Sequence, residues 1–230
     1  MPAPSSDRLV PIPGDVIRQS FPGADDLERS VALLRQVASG EGPRRLLRLY
    51  TPTPTLALTR RESLMPGYDI AVAAAERLGF TPAIRPTGGR AAAYDETCLV
   101  FDLVEREESH ADPTALFAQA GRTIVDALRR LGVDARLGEV PGEYCPGEYS
   151  INARGAVKLV GTSQRGVRGA RLLSGMLAFG SVDGLVAVLT GANAALGLEW
   201  DPQTFGSLRT EAPAVSREDV EEALVAALII

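Results

Sequence analysis

The 230-residue chain has little cysteine, histidine and lysine: two Cys, one His and, among 24 basic residues, a single lysine, Lys158. Two cysteines are too few for a disulfide-stapled fold, so we expect free thiols. The one histidine, His110, lies in a polar segment and leaves no Cys–His pair or histidine cluster, so we expect no metal site. A net charge of −5 lacks the basic excess typical of nucleic-acid-binding proteins.

Long apolar runs are also absent. No run approaches the roughly 20 residues that cross a bilayer, and the first residues lack the basic-then-apolar order of a signal peptide. We therefore expect a cytoplasmic protein with no membrane partner. Because no repeat or low-complexity linker divides the chain, we predict one domain over 1–230, with a core at about 25–195, a Pro-rich leader over 1–24 and a C-terminal loop and helix over 196–230.

Helical and strand periodicities alternate along the chain. Helices are predicted from Asp25 or Asp26 as N-cap to 39, over 68–78, from Asp112 as N-cap to 131, over 182–190, and from Ser216, which begins a capping box. Strands are predicted over 46–58 with a break at Pro52 and Pro54, and over 83–85, 91–94, 98–104, 133–137, 149–153, 157–163 and 170–179. Residues 191–213 are predicted to be rich in loops. This order favours an α/β (α+β) fold with a mixed, largely antiparallel central sheet and helices packed on its faces.

A first candidate site is the segment from Arg85 to Asp95, which joins two predicted strands. The pair Gly88-Gly89 allows a ligand to approach the backbone and its N–H groups. A glycine-containing hairpin turn is the simpler interpretation. The segment does not match a nucleotide-binding P-loop.

A second candidate is Cys145, which precedes Pro146-Gly147 in a predicted loop. A thiol presented by a loop can act as a nucleophile, and thioesters are acyl donors that thiolates attack readily. The alternative is an unreactive loop thiol. Cys98 lies in an alternating apolar strand and is predicted to pack in the core.

Lys158 interrupts an apolar run, so its side-chain stem is predicted to be buried, where an unpaired ammonium would cost several kcal/mol. The chain uses arginine elsewhere, which suggests that this position needs a compact ammonium with three donors. A side chain reaching solvent from the strand end is the alternative. With a two-residue turn at Arg154-Gly155, Lys158 would pair with Ile151, so the Cys145 segment must fold back if the two are to meet.

Together the two segments resemble the catalytic domain shared by biotin-protein ligases, lipoate-protein ligases and octanoyltransferases. The family's glycine motif is matched by Arg85, Thr87, Gly88, Gly89, Ala91 and Asp95. Its lysine strand is matched by Lys158, Gly161, Ser163, Gln164 and Arg165, and Ser174-Gly175 fits the next strand. The resemblance implies that substrate is bound by Arg85, Thr87, Gly88, Gly89, Asp95, Gly161, Ser163 and Gln164.

Within that family, Tyr144-Cys145-Pro146-Gly147 is similar to the cysteine-dependent octanoyl/lipoyl amidotransferases. This implies an acyltransferase that moves an octanoyl or lipoyl group through an acyl-Cys145 thioester, with Lys158 orienting the carbonyl. The implied donor is an acyl carrier protein or a glycine cleavage H-type protein, and the implied acceptor is a lipoyl domain of a 2-oxoacid dehydrogenase complex. A thioester already holds the energy needed to form an amide, so no cofactor is expected.

Two other functions are kept as alternatives. An ATP-dependent lipoate or biotin ligase would form an acyl-adenylate with ATP and Mg²⁺, but Arg90 and Tyr94 replace the Gly and His usual in such ligases. A non-catalytic lipoyl- or acyl-binding protein could retain the same fold.

Overall fold

A computed structural model describes residues 14–107 and 113–229. The strands are β1 (Asp15–Arg18), β2 (Arg45–Tyr50), β3 (Thr55–Leu58), β4 (Thr81–Ile84), β5 (Ala92–Tyr94), β6 (Cys98–Arg106), β7 (Ala135–Leu137), β8 (Ile151–Ala153), β9 (Val157–Val167) and β10 (Ala170–Ala178). The α-helices are α1 (Ala24–Ser39), α2 (Tyr68–Arg77), α3 (Pro113–Arg130), α4 (Asp183–Leu196), α5 (Leu208–Glu211) and α6 (Arg217–Leu228). Short 3₁₀ helices span Glu62–Leu64 and Pro202–Thr204.

The strands form two sheets. The larger has seven strands in the order β1-β2-β6-β10-β9-β8-β7, and only the β1–β2 pair in it is parallel. The smaller has the order β4-β3-β5, with β3 and β4 parallel. The predicted mixed, largely antiparallel sheet with helices on its faces is confirmed.

Alternation along β2 shows how the large sheet separates two layers. Leu47 and Leu49 pack in a core with the apolar faces of α3 and α6. Tyr50 points to the other face and packs in a core with α2, α4 and the small sheet. Successive strand residues point to opposite faces, so Arg48 shares the face of Tyr50. The candidate site lies on this second face.

Two helix boundaries differ from the predictions. Helix α4 continues through Gly191 to Leu196, where loop was predicted. Gly191 lies inside this helix where α4 packs on α2, and a Cβ there would make an ordinary contact with the Ala74 Cβ at 3.4 Å, so this glycine does not end the helix. The predicted cap of α1 was also wrong. Gly23 holds the N-cap position, and Asp26 lies inside the first turn, where its carboxylate accepts a hydrogen bond from the Phe21 N–H.

The hairpin between β8 and β9 has a different register from the one predicted. Lys158 pairs with Asn152, and Ile151 pairs with Val160 across a bulge. The turn contains three residues because Ala153 and Val157 are paired, and Arg154 and Gly155 adopt positive φ angles of 59° and 73°. The extra turn residue shifts the partners of Ala153 and Asn152 by one position on β9, and the bulge shifts the partner of Ile151 by a second position.

Three predictions concern residues outside the described ranges: the N-cap at Asp112, the setting of His110 and the leader up to residue 13. The capping box of the last helix is confirmed, with Ser216 and Asp219 bonded in both directions. Within residues 14–107 and 113–229, no helix has both the length and the apolar character needed to span a bilayer.

Candidate active site

The second face of the large sheet contains a cavity of about 350 Å³. Two loops contribute to its wall: the glycine loop, residues 85–91 between β4 and β5, and the Cys loop, residues 138–150 between β7 and β8. Its apolar lining includes Leu27, Tyr50, Val100 and Met176. The volume lies within the range of small-molecule sites, and the lining suits an apolar ligand.

Cys145 lines this cavity from the Cys loop, and its thiol faces the glycine loop. The main-chain N–H of Arg90 donates to the Cys145 Sγ at 3.1 Å, and the Arg85 Nη2 lies 3.9 Å from the same sulfur. Cys145 has a φ of 46°, which side-chain-bearing residues rarely adopt. A main-chain donor and a cation therefore converge where a nucleophilic sulfur would carry negative charge.

The close approach of the two loops depends on Gly89. This residue has a φ of 105°, and a Cβ there would lie 2.8 Å from the Cys145 Sγ and 2.6 Å from the Arg85 Nη2. The glycine loop is also tied to β9, because Ser163 Oγ donates to Thr87 Oγ1 at 2.8 Å and Arg165 Nη1 donates to the Pro86 carbonyl at 2.8 Å. The Arg90 N–H and the two contacts with β9 thus hold the glycine loop against the Cys145 thiol.

Lys158 is buried, with 2% of its surface exposed, as the apolar run around it predicts. Its Nζ donates to the Glu143 carboxylate at 3.0 Å and to the carbonyls of Tyr144 and Cys145 at 3.3 and 2.9 Å. The ammonium also lies 4.7 Å from the centre of the Tyr144 ring. The Cys loop thus folds back over β9, and the Lys158 ammonium contacts the main-chain carbonyl of Cys145.

A buried ionic cluster adjoins the cavity beside α1. Arg48 forms ion pairs with Asp26 and Asp102, and all three side chains are buried. Ser30 and Ser174, which line the cavity, donate their hydroxyls to the two oxygens of Asp102. Burial raises the pKa of Asp102 and of Asp26 above the usual range, against the opposing effect of Arg48. This side of the cavity is therefore polar, in contrast to its apolar walls.

Comparison with known families supports the motif resemblance over almost the whole chain. The model of the lipoyl protein ligase A/B catalytic domain matches residues 22–229. The chain belongs to this family.

Curated relatives of the chain include octanoyltransferases, a lipoyltransferase and a lipoate-protein ligase A subunit 1 of Thermoplasma acidophilum. An octanoyl-[GcvH]:protein N-octanoyltransferase of Exiguobacterium sibiricum is 34% identical over 152 residues, which is 66% of this chain and 52% of that protein. A lipoyl-[GcvH]:protein N-lipoyltransferase of Listeria monocytogenes is 26% identical over 151 residues, 64% of this chain and 50% of that protein. The chain spans about half the length of the curated relatives it matches.

Solved structures of the family share the fold. A lipoate-protein ligase A bound with ATP superposes with a TM-score of 0.76 at 22% identity, covering 94% of this chain and 84% of that one. A bipartite lipoate protein ligase from Thermoplasma acidophilum gives 0.73 at 22% identity, covering 94% and 82%. The seven-stranded sheet and its helices are therefore the architecture of the ligase A/B catalytic domain.

Most residues singled out by the family motifs lie together around the cavity. Its lining includes Cys145, Lys158, Arg85, Thr87, Gly88, Gly89, Gly161, Ser163 and Gln164. Asp95 is not among the lining residues. It lies in the turn between β5 and β6, where its carboxylate accepts from the N–H and the hydroxyl of Thr97. Among the described residues, no three His, Cys, Asp or Glu side chains are grouped to hold a metal ion.

Two contributors to the site were missed at the level of sequence: Glu143 and the main-chain N–H of Arg90. A buried lysine requires a counter-ion, and that requirement indicates an acidic partner without saying which one. Glu143 lies two residues before Cys145, but spacing in a loop does not predict side-chain direction. A hydrogen bond from a main-chain N–H cannot be predicted from the identity of the residue. The Arg48–Asp102 pair was not predicted either, although the sequence indicates it, since each charged residue interrupts an apolar strand.

Proposed function

We propose that this chain transfers an octanoyl or lipoyl group between proteins through a thioester on Cys145. The observation that carries the proposal is the Cys145 sulfur in the lining of an apolar cavity, 3.1 Å from the Arg90 nitrogen and 3.9 Å from the Arg85 guanidinium. The names of the relatives, octanoyl and lipoyl transferases that act on GcvH-borne groups, support the same chemistry. The donor would be an acyl carrier protein or a glycine cleavage H-type protein, and the acceptor a lysine of a lipoyl domain.

The transfer needs two substitutions at one carbonyl carbon. In the first, the Cys145 thiolate forms a C–S bond to the acyl carbon while the bond from that carbon to the donor breaks. The donor leaves as a thiolate or, from a lysine amide, as an amine that takes up a proton from water. In the second, the neutral acceptor lysine forms the C–N bond, loses a proton and releases the Cys145 thiolate. An amide exchanged for an amide, or a thioester for an amide, needs no added energy source.

The residues around Cys145 form an apolar slot for the acyl chain and a polar region around the reacting carbonyl group. Leu27, Val100 and Met176 would cover the acyl chain, and each buried methylene contributes about 0.8 kcal/mol. The Arg90 N–H and Arg85 would stabilise negative charge developing at sulfur and at the carbonyl oxygen. Lys158 would act through the Cys145 carbonyl that it binds, because its three donors are directed at the Cys loop.

The test is an intact-mass measurement after mixing with an octanoylated carrier protein, without ATP. We expect one octanoyl group on the wild-type chain and none on Cys145→Ser, with Cys98→Ser as the matched control that keeps the adduct. Addition of an unmodified lipoyl domain should then discharge the adduct onto the domain. Equal adducts on wild type and Cys145→Ser would remove the assigned nucleophile.

Two rivals predict other outcomes in the same experiment. An ATP-dependent lipoate or biotin ligase would release AMP from ATP and free acid, and Cys145→Ser would retain activity. A non-catalytic binding protein would bind the acylated carrier, form no adduct and discharge nothing. Either result would replace the transferase proposal.

A further inference from the structure

Glu143 is a buried carboxylate, 1% exposed, that the transfer chemistry itself does not use. We propose that Glu143 is a positioning residue that holds the Cys loop and Lys158 together, and so places the Cys145 sulfur against the glycine loop. This inference rests on the proposed function, because it assigns how the same nucleophile is positioned.

The first support is the number of loop groups that converge on this carboxylate. Its Oε1 accepts from Ser150 Oγ at 2.6 Å and from the Gly147 N–H at 3.2 Å, and its Oε2 accepts from the Val140 N–H at 3.1 Å. Val140 lies near the start of the Cys loop and Ser150 at its end. One side chain therefore closes the loop across the residues that flank Cys145.

The second support is the charge of Lys158. The Glu143 Oε1 lies 3.0 Å from the Lys158 Nζ, and both side chains are almost wholly buried. A buried ammonium needs a paired charge and satisfied donors. The two remaining directions of the ammonium are taken by the carbonyls of Tyr144 and Cys145, so Glu143 orients Lys158 and Lys158 orients the Cys145 peptide.

The third support is the backbone of Cys145. Its φ of 46° is a conformation that persists in a non-glycine residue only where the surroundings hold it. Outside the loop, the groups that face the sulfur are the Arg90 N–H and the Arg85 guanidinium. If Glu143 lets the loop relax, the sulfur moves away from both, and the thiolate loses the groups that stabilise it.

Removal of Glu143 should change the reactivity of Cys145 in opposite directions for a positioning role and for a simple charge effect. A carboxylate acting only through its charge disfavours a nearby thiolate, so its removal would let Cys145 react at lower pH. A positioning carboxylate favours the thiolate indirectly, so its removal would make Cys145 react more slowly and only at higher pH. A carboxylate that contributes only to folding would change neither.

The experiment measures iodoacetamide alkylation of Cys145 across pH in Glu143→Gln, at a temperature where circular dichroism shows the chain folded. The amide is the same size, but its NH₂ faces donors whichever way it turns. We expect a rise in the pH of half-maximal alkylation, and a loss of about tenfold or more in kcat for transfer with KM little changed. Glu139→Gln, an exposed carboxylate in the same loop, is the matched control and should match wild type.

A second variant covers the case in which Glu143→Gln does not fold. Ser150→Ala removes the 2.6 Å bond to Glu143 and leaves the Lys158 ion pair in place, so it should shift alkylation in the same direction by a smaller amount. An unchanged or lower pH of half-maximal alkylation in the folded variants would overturn the inference. Alkylation needs no acyl donor, so failure of the transferase proposal would show separately, as a wild-type chain that alkylates normally and forms no acyl adduct.

Discussion

The two cysteines occupy opposite environments although both lie on the same side of the large sheet. Cys98 is fully buried in β6, in a core with α4 and the small sheet, and burial raises the pKa of its thiol to about 12. Cys145 is half-buried in a loop and meets a main-chain N–H and a guanidinium. The backbone around each cysteine therefore decides what its thiol can do. A strand packs the side chain into the sheet, whereas the Cys loop presents it to a cavity.

The contrast predicts a large difference in alkylation of the folded protein. With iodoacetamide at neutral pH, we expect Cys145 to react at least about 1000-fold faster than Cys98, because the thiolate is the reacting form and Cys98 is both protonated and covered. Peptide mapping after timed quenching measures each site. Cys145→Ser should take up label only in denaturant. Labelling of Cys98 at a rate comparable to that of Cys145 in the folded chain would contradict the predicted difference.

Replacing Lys158 tests what holds Cys145 in its setting. We expect Lys158→Arg to reduce acyl transfer roughly 100-fold, because a planar, longer guanidinium cannot reproduce three bonds in a site made for a compact ammonium. Steady-state transfer to a lipoyl domain provides the measurement. Arg168→Lys, an exchange of the same two residue types at an exposed position between β9 and β10, is the control. Full activity of Lys158→Arg would show that the three bonds do not matter.

Gly89→Ala tests the other side of the thiol. Its Cβ would lie within 3 Å of both the Cys145 Sγ and the Arg85 Nη2, at a φ that disfavours alanine. We expect roughly tenfold slower formation of the acyl adduct, because the two loops must move apart. Gly166→Ala, with open space around its Cβ, should behave as wild type in the same single-turnover measurement. A normal rate in Gly89→Ala would mean that the contact with the glycine loop is dispensable.

Local patterns accounted for most of the fold. Alternation in β6 and β10, the proline break between β2 and β3, and the capping box at Ser216 each report interactions within a few residues, and the structure contains all three. The errors arose where packing overrides local preference. Helix α4 continues through Gly191, where it packs on α2, and the β8–β9 turn has three residues, with Arg154 and Gly155 at positive φ.

The candidate site was predictable only in part for the same reason. An apolar run around Lys158 predicts its burial, and the loop setting of Cys145 predicts some access. The path of the Cys loop depends on Glu143, whose partners lie between 3 and 15 residues away, and no periodicity encodes those contacts. The role of Arg90 is performed by a peptide N–H, which almost any residue supplies.

The smallest expected effect concerns the stability contributed by Cys98 at alkaline pH. Burial raises the pKa of this thiol from 9.0 to about 12, so the unfolded chain loses the proton first as the pH rises. The folded state then binds more protons than the unfolded state, and the free energy of unfolding falls with pH above 9. Between about pH 8 and pH 10, this thiol should remove about 1 kcal/mol of stability.

Cys98→Ala isolates that effect from other alkaline titrations. Urea unfolding of wild type and variant at the two pH values should show a larger free energy of unfolding for the wild type at the lower pH, because alanine leaves a cavity in a packed core. The difference should narrow by about 1 kcal/mol at the higher pH, where only the wild type carries the thiol penalty. A constant difference for Cys98→Ala would mean that this thiol ionises as easily in the fold as in the unfolded chain, and the contrast between the cysteines would then rest on access alone.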